Sequence, residues 1–512
     1  MALVFVLLGL AGFANASIKR HRATSGSTES AAVSAAVTKG GAISTAWYCA
    51  GPLPLGLRSE HSLIAIGNVS RKTLSGALVV ATETGVSRSV PLDIAPRTSR
   101  SVRLGRADGP AFGSVTVLLD GAGAGVEEIV VGPTGSDAAP CVSHASFTEY
   151  LAGGATKAPS SLDLAVFDPG ATPSVVSVTI ATPTGVVAPP AFQEVPVQAG
   201  ETLVFNVTRN LPLQTLLGTT VSATGGRVVA GALSSAGVAG VSFPALVSAS
   251  AVAAPTWYFA PGLSAPGDAQ GYVVLNPGSS PARVTLTLDD QSGPAVLDAV
   301  VPGGGIVELS PASDKTPGAL RGAMLTSSAP VVAALETLVG PFARSKTSSK
   351  RPTTPNKATS TAKGHRSAAT TTTITPPASA PSSTEPITVP GFSTTAPSPV
   401  LDSSWLIEGG ERDGQIGEYI AISNPASKPA VVRFSPLGAL GPIAPVTVAP
   451  RSSAVVDLGQ GADPAGSVAI EVVASEPVVV GSGLYARGSS GWERVPRRTA
   501  PTVSRRGWRP AR

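Results

Sequence analysis

Apolar and polar residues alternate in short runs along most of this chain. Ser62–Gly67, Ala77–Thr82, Ser89–Ile94, Ser99–Leu104, Ser114–Leu119 and Glu128–Val131 are each separated from the next by turn residues. A period of two puts successive side chains on opposite faces of a half-buried strand. Apolar residues at helical spacing are almost absent beyond the first sixteen residues. The pattern predicts an all-β protein, with about six or seven strands per 90 residues, the strand density of an immunoglobulin-like β-sandwich.

The runs recur in register. Trp257 to Asn276 spans 19 positions, and so does Trp405 to Asn424. Asn276-Pro277 matches Asn424-Pro425, and Pro330-Val331-Val332 matches Pro477-Val478-Val479. A spacing of 17 positions separates a turn residue from the next hairpin glycine four times: Asn68 to Gly85, Asp168 to Gly185, Asn276 to Gly293 and Asn424 to Gly441. Asn, Asp and Gly suit positions where the backbone turns tightly, which gives this spacing a physical basis. A unit opens at Trp47, and a second opens at Tyr150, where Tyr replaces Trp and Asp168-Pro169 replaces Asn-Pro. These marks predict four tandem immunoglobulin-like β-sandwiches, over 46–145, 146–250, 255–342 and 401–487.

The segments between and around them differ in composition. Residues 1–16 are an apolar run ending in Ala14-Asn15-Ala16. The run is shorter than the ~20 residues a membrane span needs and suits a signal peptide, cleaved or retained as an anchor. Lys19, Arg20 and Arg22 follow it and no basic residue precedes it. The positive-inside rule would then leave the chain in the cytoplasm, so the expectation is that the true start lies upstream and the protein is exported. Residues 17–45 read as a spacer, 343–400 as a disordered Ser/Thr/Pro/Lys linker, and 488–512 as a basic tail. The linker suits either an O-glycosylated stalk or a plain spacer. The net charge of +5 over 512 residues sits largely in that linker and tail. No basic face with interleaved aromatics marks a nucleic-acid partner. The tail suits solvation, or contact with an acidic wall polymer or lipid head groups.

Candidate chemistry is sparse. Cys49 and Cys141 are the only cysteines and flank the first unit. A disulfide between them would close it, and two buried thiols are the alternative. His21, His61, His144 and His365 have no second ligand at metal spacing. Asp289-Asp290 lacks the regular oxygen spacing of a calcium loop. Glu127, Glu128, Glu336 and Glu471 fall on or beside strands, where a hydrolase pair would be invisible in sequence. Trp47, Trp257 and Trp405 suit either sugar-stacking platforms or core filling, and one per unit at a fixed distance from a turn argues for the core. No catalytic, cofactor-binding or metal residue is assigned.

With the marks Trp257, Gly262, Asn276-Pro277 and Pro330-Val331-Val332, and again Trp405, Gly409, Asn424-Pro425 and Pro477-Val478-Val479, the chain resembles a family of uncharacterised exported actinobacterial envelope proteins. The resemblance covers 46–340 and 401–487 and implies an envelope location, with no known activity. The expected function is a non-enzymatic cell-envelope scaffold or interaction module, meeting wall polymer or other envelope proteins. The alternatives are a carbohydrate- or wall-binding module array and a hydrolase using strand carboxylates.

Overall fold

The computed structural model describes residues 43–486 apart from 56–60, 107, 110–111, 133–135, 239–240, 263–268, 290–294, 312–320, 340–390, 396, 410–415, 439–440 and 460–468. Segments 1–16 and 488–512, with His21, Gly293, Asp290 and His365, lie outside the described residues. Among the described residues no helix is long and apolar enough to cross a membrane.

The first quarter contains β1 (Thr45–Pro54), β2 (His61–Asn68), β3 (Leu74–Thr82), β4 (Gly85–Ile94), β5 (Ser99–Leu104), β6 (Phe112–Leu119), β7 (Ala124–Val131) and β8 (Ser136–Pro140). They form two antiparallel sheets, ordered β1-β6-β3-β4 and β5-β2-β7-β8. The second quarter follows the same course with β9 (Thr148–Ala152), β10 (Ser161–Phe167), β11 (Ser174–Thr182), β12 (Gly185–Val187), β13 (Val195–Val197), β14 (Thr202–Asn206), β15 (Gly218–Thr224), β16 (Val229–Val238) and β17 (Val241–Ser248). The third has β18 (Ala254–Phe259), β19 (Ala269–Leu275), β20 (Ala282–Leu288), β21 (Ala295–Val301), β22 (Ile306–Leu309), β23 (Ala323–Val339) and β24 (Gly391–Thr395). The fourth has β25 (Asp402–Ile407), β26 (Ile416–Asn424), β27 (Ala430–Leu437), β28 (Val446–Val448), β29 (Ser452–Gly459) and β30 (Ala469–Ala486). In the last two quarters one long strand, β23 or β30, serves both sheets and merges them, so the total is six sheets.

These sheets stand as the blades of a six-bladed, propeller-like arrangement, which corrects the expectation of tandem immunoglobulin-like β-sandwiches. Two observations overturn it. The strand order is not that of an immunoglobulin sheet, because β1 pairs with β6 and not with β2. The quarters are also not independent. Leu246 of the second quarter enters the hydrophobic cluster of the first. Ala152, Ala181 and Leu216 of the second pack with Val273, Leu275 and Ile306 of the third. Ala260 of the third meets Tyr419 and Ala421 of the fourth. Leu406, Leu437 and Ala469 of the fourth meet Val69 of the first. Each quarter thus contacts the next and the fourth returns to the first, closing a ring. Period-two alternation reports only that a strand is half-buried, which is why the arrangement of blades was not legible from it.

Within each quarter the inward residues of its sheets share one apolar core, such as Ile64, Leu78, Val80, Val115 and Val117 in the first. The stretch read as linker overlaps the fold at its end: Gly391–Thr395 forms β24, paired to β23.

Candidate functional site

Three asparagines organise the quarters. The Nδ2 of Asn68 donates to the carbonyls of Lys72, Ile94 and Ala95 at 2.8, 3.0 and 3.0 Å, and its Oδ1 accepts from the Ser70 amide at 2.9 Å. Asn276 does the same with Ser280, Val301, Pro302 and the Gly278 amide. Asn424 does so with Lys428, Val448, Ala449 and the Ala426 amide. Each side chain ties the end of its strand to two turns, a structural role. Asp168 keeps the acceptor half, taking the Gly170 amide at 2.7 Å, but its buried Oδ2 has no hydrogen-bond partner. A carboxylate has no donor for the carbonyls that an asparagine amide reaches.

The other sequence marks are structural as well. Gly85 and Gly185 have φ of +92° and +139° and start hairpin strands, a backbone region that favours glycine. Gly441 lies exposed between β27 and β28. Pro277 and Pro425 follow the asparagines into the turns. Trp47, Trp257 and Trp405 are 4, 0 and 1% exposed. The indole N–H of Trp257 donates to the Val331 carbonyl at 2.8 Å and that of Trp405 to Asp402 at 3.0 Å, whereas Trp47 Nε1 is buried without a partner. Cys49 and Cys141 are joined by a disulfide. Asp289 accepts from the Ser423 hydroxyl of the fourth quarter at 3.4 Å.

Chemistry gathers in buried carboxylates. Glu127 and Glu128 are successive on β7 and so face opposite sides of their sheet. Glu128 Oε2 accepts the Gly51 amide at 3.1 Å, and its carboxylate lies beside the Cys49–Cys141 disulfide. Burial pushes its pKa up to about 8. Glu127 faces the fourth quarter, where burial raises it to about 7, and burial first and the neighbouring Glu127 second raise Glu408. Glu408 is 0% exposed, and neither carboxylate oxygen has a hydrogen-bond partner. Glu418 adds a third negative group there. At the seam between the second and third quarters, Glu336 Oε1 accepts the Gly154 amide at 2.9 Å, and burial raises its pKa to about 7. Glu149 on β9 is buried and pushed up to about 8. Glu471 instead pairs with Arg97 of the first quarter at 2.7 Å.

Of the carboxylates singled out by sequence, Glu127, Glu128 and Glu336 therefore belong to this set. Glu149, Glu408 and Glu418 were missed, because nothing in a local pattern separates a carboxylate on a solvent face from one enclosed by packing. A protonated carboxyl is a neutral donor and acceptor, and burial favours that form at neutral pH.

The model of a family of unknown function, DUF5719, matches residues 132–401, more than half of the chain. The chain belongs to the DUF5719 family. The DUF5719 match runs from just before β8 to the residue before β25, and so takes in the second and third quarters. Glu149 and Glu336 fall inside it, whereas Glu127, Glu128, Glu408 and Glu418 lie outside. None of the curated proteins matches the chain. Among solved structures, the "Crystal Structure of Thermotoga maritima 1070" is similar at 22% identity, covering 17% of this chain and 84% of that one, with a TM-score of 0.16.

Proposed function

We propose that this DUF5719 protein is a non-enzymatic, exported cell-envelope scaffold of the actinobacterial type, whose ring holds an interaction surface in fixed geometry. Ring closure is the observation that carries the reading. Four quarters that interlock at every seam give a rigid frame. The raised carboxylates are buried, Glu127, Glu336 and Glu408 at seams and Glu128 and Glu149 within their own quarters, out of reach of a large substrate. What the frame offers to solvent is its outer strand edges. Val86, Val186, Val296 and Val300 are exposed on β4, β12 and β21, each the last strand of its sheet. Such edges accept strand addition or side-chain contact from a partner such as another envelope protein or a wall polymer. The sugar-binding alternative needs accessible tryptophans, and burial of Trp47, Trp257 and Trp405 takes away its stacking platforms.

The test is protease treatment of intact cells. Cleavage within 343–400 from outside supports an exported scaffold. Full protection, on cells whose other surface proteins are cut, overturns export.

A further inference from the structure

The quarters act as internal controls for one another, because the strand registers identify equivalent positions. Glu128 lies opposite Ile64 in the first quarter. The equivalent pairs are Ala232 opposite Leu164, Leu335 opposite Tyr272 and Ser482 opposite Ile420. Likewise Tyr48 bridges Val142, Tyr150 bridges Ser250 and Tyr258 bridges Ser398. The residues beside those bridges correspond, so Cys49 is matched by Leu151 and Phe259, and Cys141 by Ala249 and Pro397. The fold is built with apolar or small residues three times at the carboxylate position and twice at each cysteine position. Only the first quarter puts two sulfurs and a carboxylate there, and all three residues are buried. One ligand-capable atom from each of Cys49, Glu128 and Cys141 lies within 4.8 Å of the others.

We propose that reduction of the Cys49–Cys141 disulfide opens a site for a thiophilic divalent cation of the zinc type, held by both sulfurs and Glu128. Two thiolates and one carboxylate make a three-ligand set, with a fourth position left for water. A dithiol supplies the electrons: it is oxidised to its own disulfide while Cys49 and Cys141 are reduced to thiols. The cation then takes the two sulfurs and the carboxylate oxygen as ligands, and the two thiols and the carboxyl release their protons. The Gly51 amide on Glu128 Oε2 keeps the carboxylate oriented toward the sulfurs before the cation arrives. In the oxidised protein the sulfurs are bonded to each other and the site is closed, so the cation reads the redox state.

The test uses the full chain, reduced anaerobically with dithiothreitol, freed of reductant and titrated with Co²⁺. The expected result is a thiolate-to-cobalt absorption that saturates at one ion per chain, is bleached by Zn²⁺ and is missing from the oxidised protein. Cys49→Ser and Cys141→Ser should abolish it. Glu128→Gln should shift the visible bands and weaken binding about tenfold or more, the scale seen when even an outer partner of a metal ligand is lost. Glu128→Ala installs what the second quarter carries at this register, so it tests the ligand in a side chain the fold accepts. No saturable band in the reduced protein overturns the proposal. So does an unchanged band and affinity in both Glu128 variants, which is also what a reduced protein binding only through unfolded cysteines would give.

Discussion

The carboxylate of Glu408, in the fourth quarter, occupies the space that a side chain on Gly125 of the first would need. A Cβ added at Gly125 would fall 1.6 Å from Glu408 Oε1 and 2.8 Å from Leu406 Cδ2. The seam that returns the chain's last quarter to its first depends on a glycine at that point. Gly125→Ala should therefore destabilise the protein by about 1–3 kcal/mol, the range for overpacking a close interface. Urea midpoints compare it with Gly105→Ala, a position with open space around it. Equal midpoints would mean that the seam adjusts freely.

The buried carboxylates set a pH dependence. Glu127, Glu128, Glu149 and Glu336 have folded pKa values of about 7 to 8 against an ordinary 4.5, mainly through burial, and Glu408 is raised in the same direction. A raised carboxyl holds its proton more tightly in the folded state. Its contribution is fully present below about 4.5 and is lost as pH rises through its folded value. Stability should fall between pH 5 and 9, by roughly 1.4 kcal/mol per group for each unit of separation. Glu408→Gln, uncharged at every pH, should flatten the curve. Denaturant midpoints at pH 5, 7 and 9 decide it, and a rise across that range would refute the assignment.

The asparagine ties predict opposite effects of one exchange. Asp168→Asn should restore the missing donor at a fully buried position and stabilise by about 1 kcal/mol. Asn276→Asp removes a donor from three carbonyls and should destabilise by about 1–3 kcal/mol. Thermal melts of the two variants, side by side, check both signs.

Val339 and Gly391 are paired residues on neighbouring strands. The Ser/Thr/Pro/Lys-rich segment between them therefore starts and ends at adjacent points of one sheet. Cutting it should leave the halves assembled, since β24 stays paired to β23 and the fourth quarter keeps its contacts with the third and the first. Trypsin cleavage at Lys346, Lys350 or Lys357 followed by gel filtration should give one peak of unchanged size. Two separate peaks would contradict ring closure.

Strand existence was legible in the sequence, and so were many strand ends. The run read as Ser99–Leu104 is β5, and Ser62–Gly67 and Ala77–Thr82 lie within β2 and β3. Alternation and turn residues are local signals, and the asparagine turns were located because each asparagine holds its own tight turn, whereas its bonds to Ile94, Val301 or Val448 reach a later turn and were not legible. What the strands pair with is a long-range matter. The same half-buried strands serve a separate sandwich or a blade in a ring, and strand order together with the contacts of Leu246, Ala260 and Leu406 across quarters distinguishes them. The site divided along the same line. Glu127 was visible as a carboxylate on a strand, but its raised pKa comes from burial on the face where Glu408, nearly 300 positions away in sequence, lies beside it. Burial and charge coupling depend on distance in space, which the order of residues does not record, so tertiary structure alone decided which carboxylates were ordinary and which were enclosed.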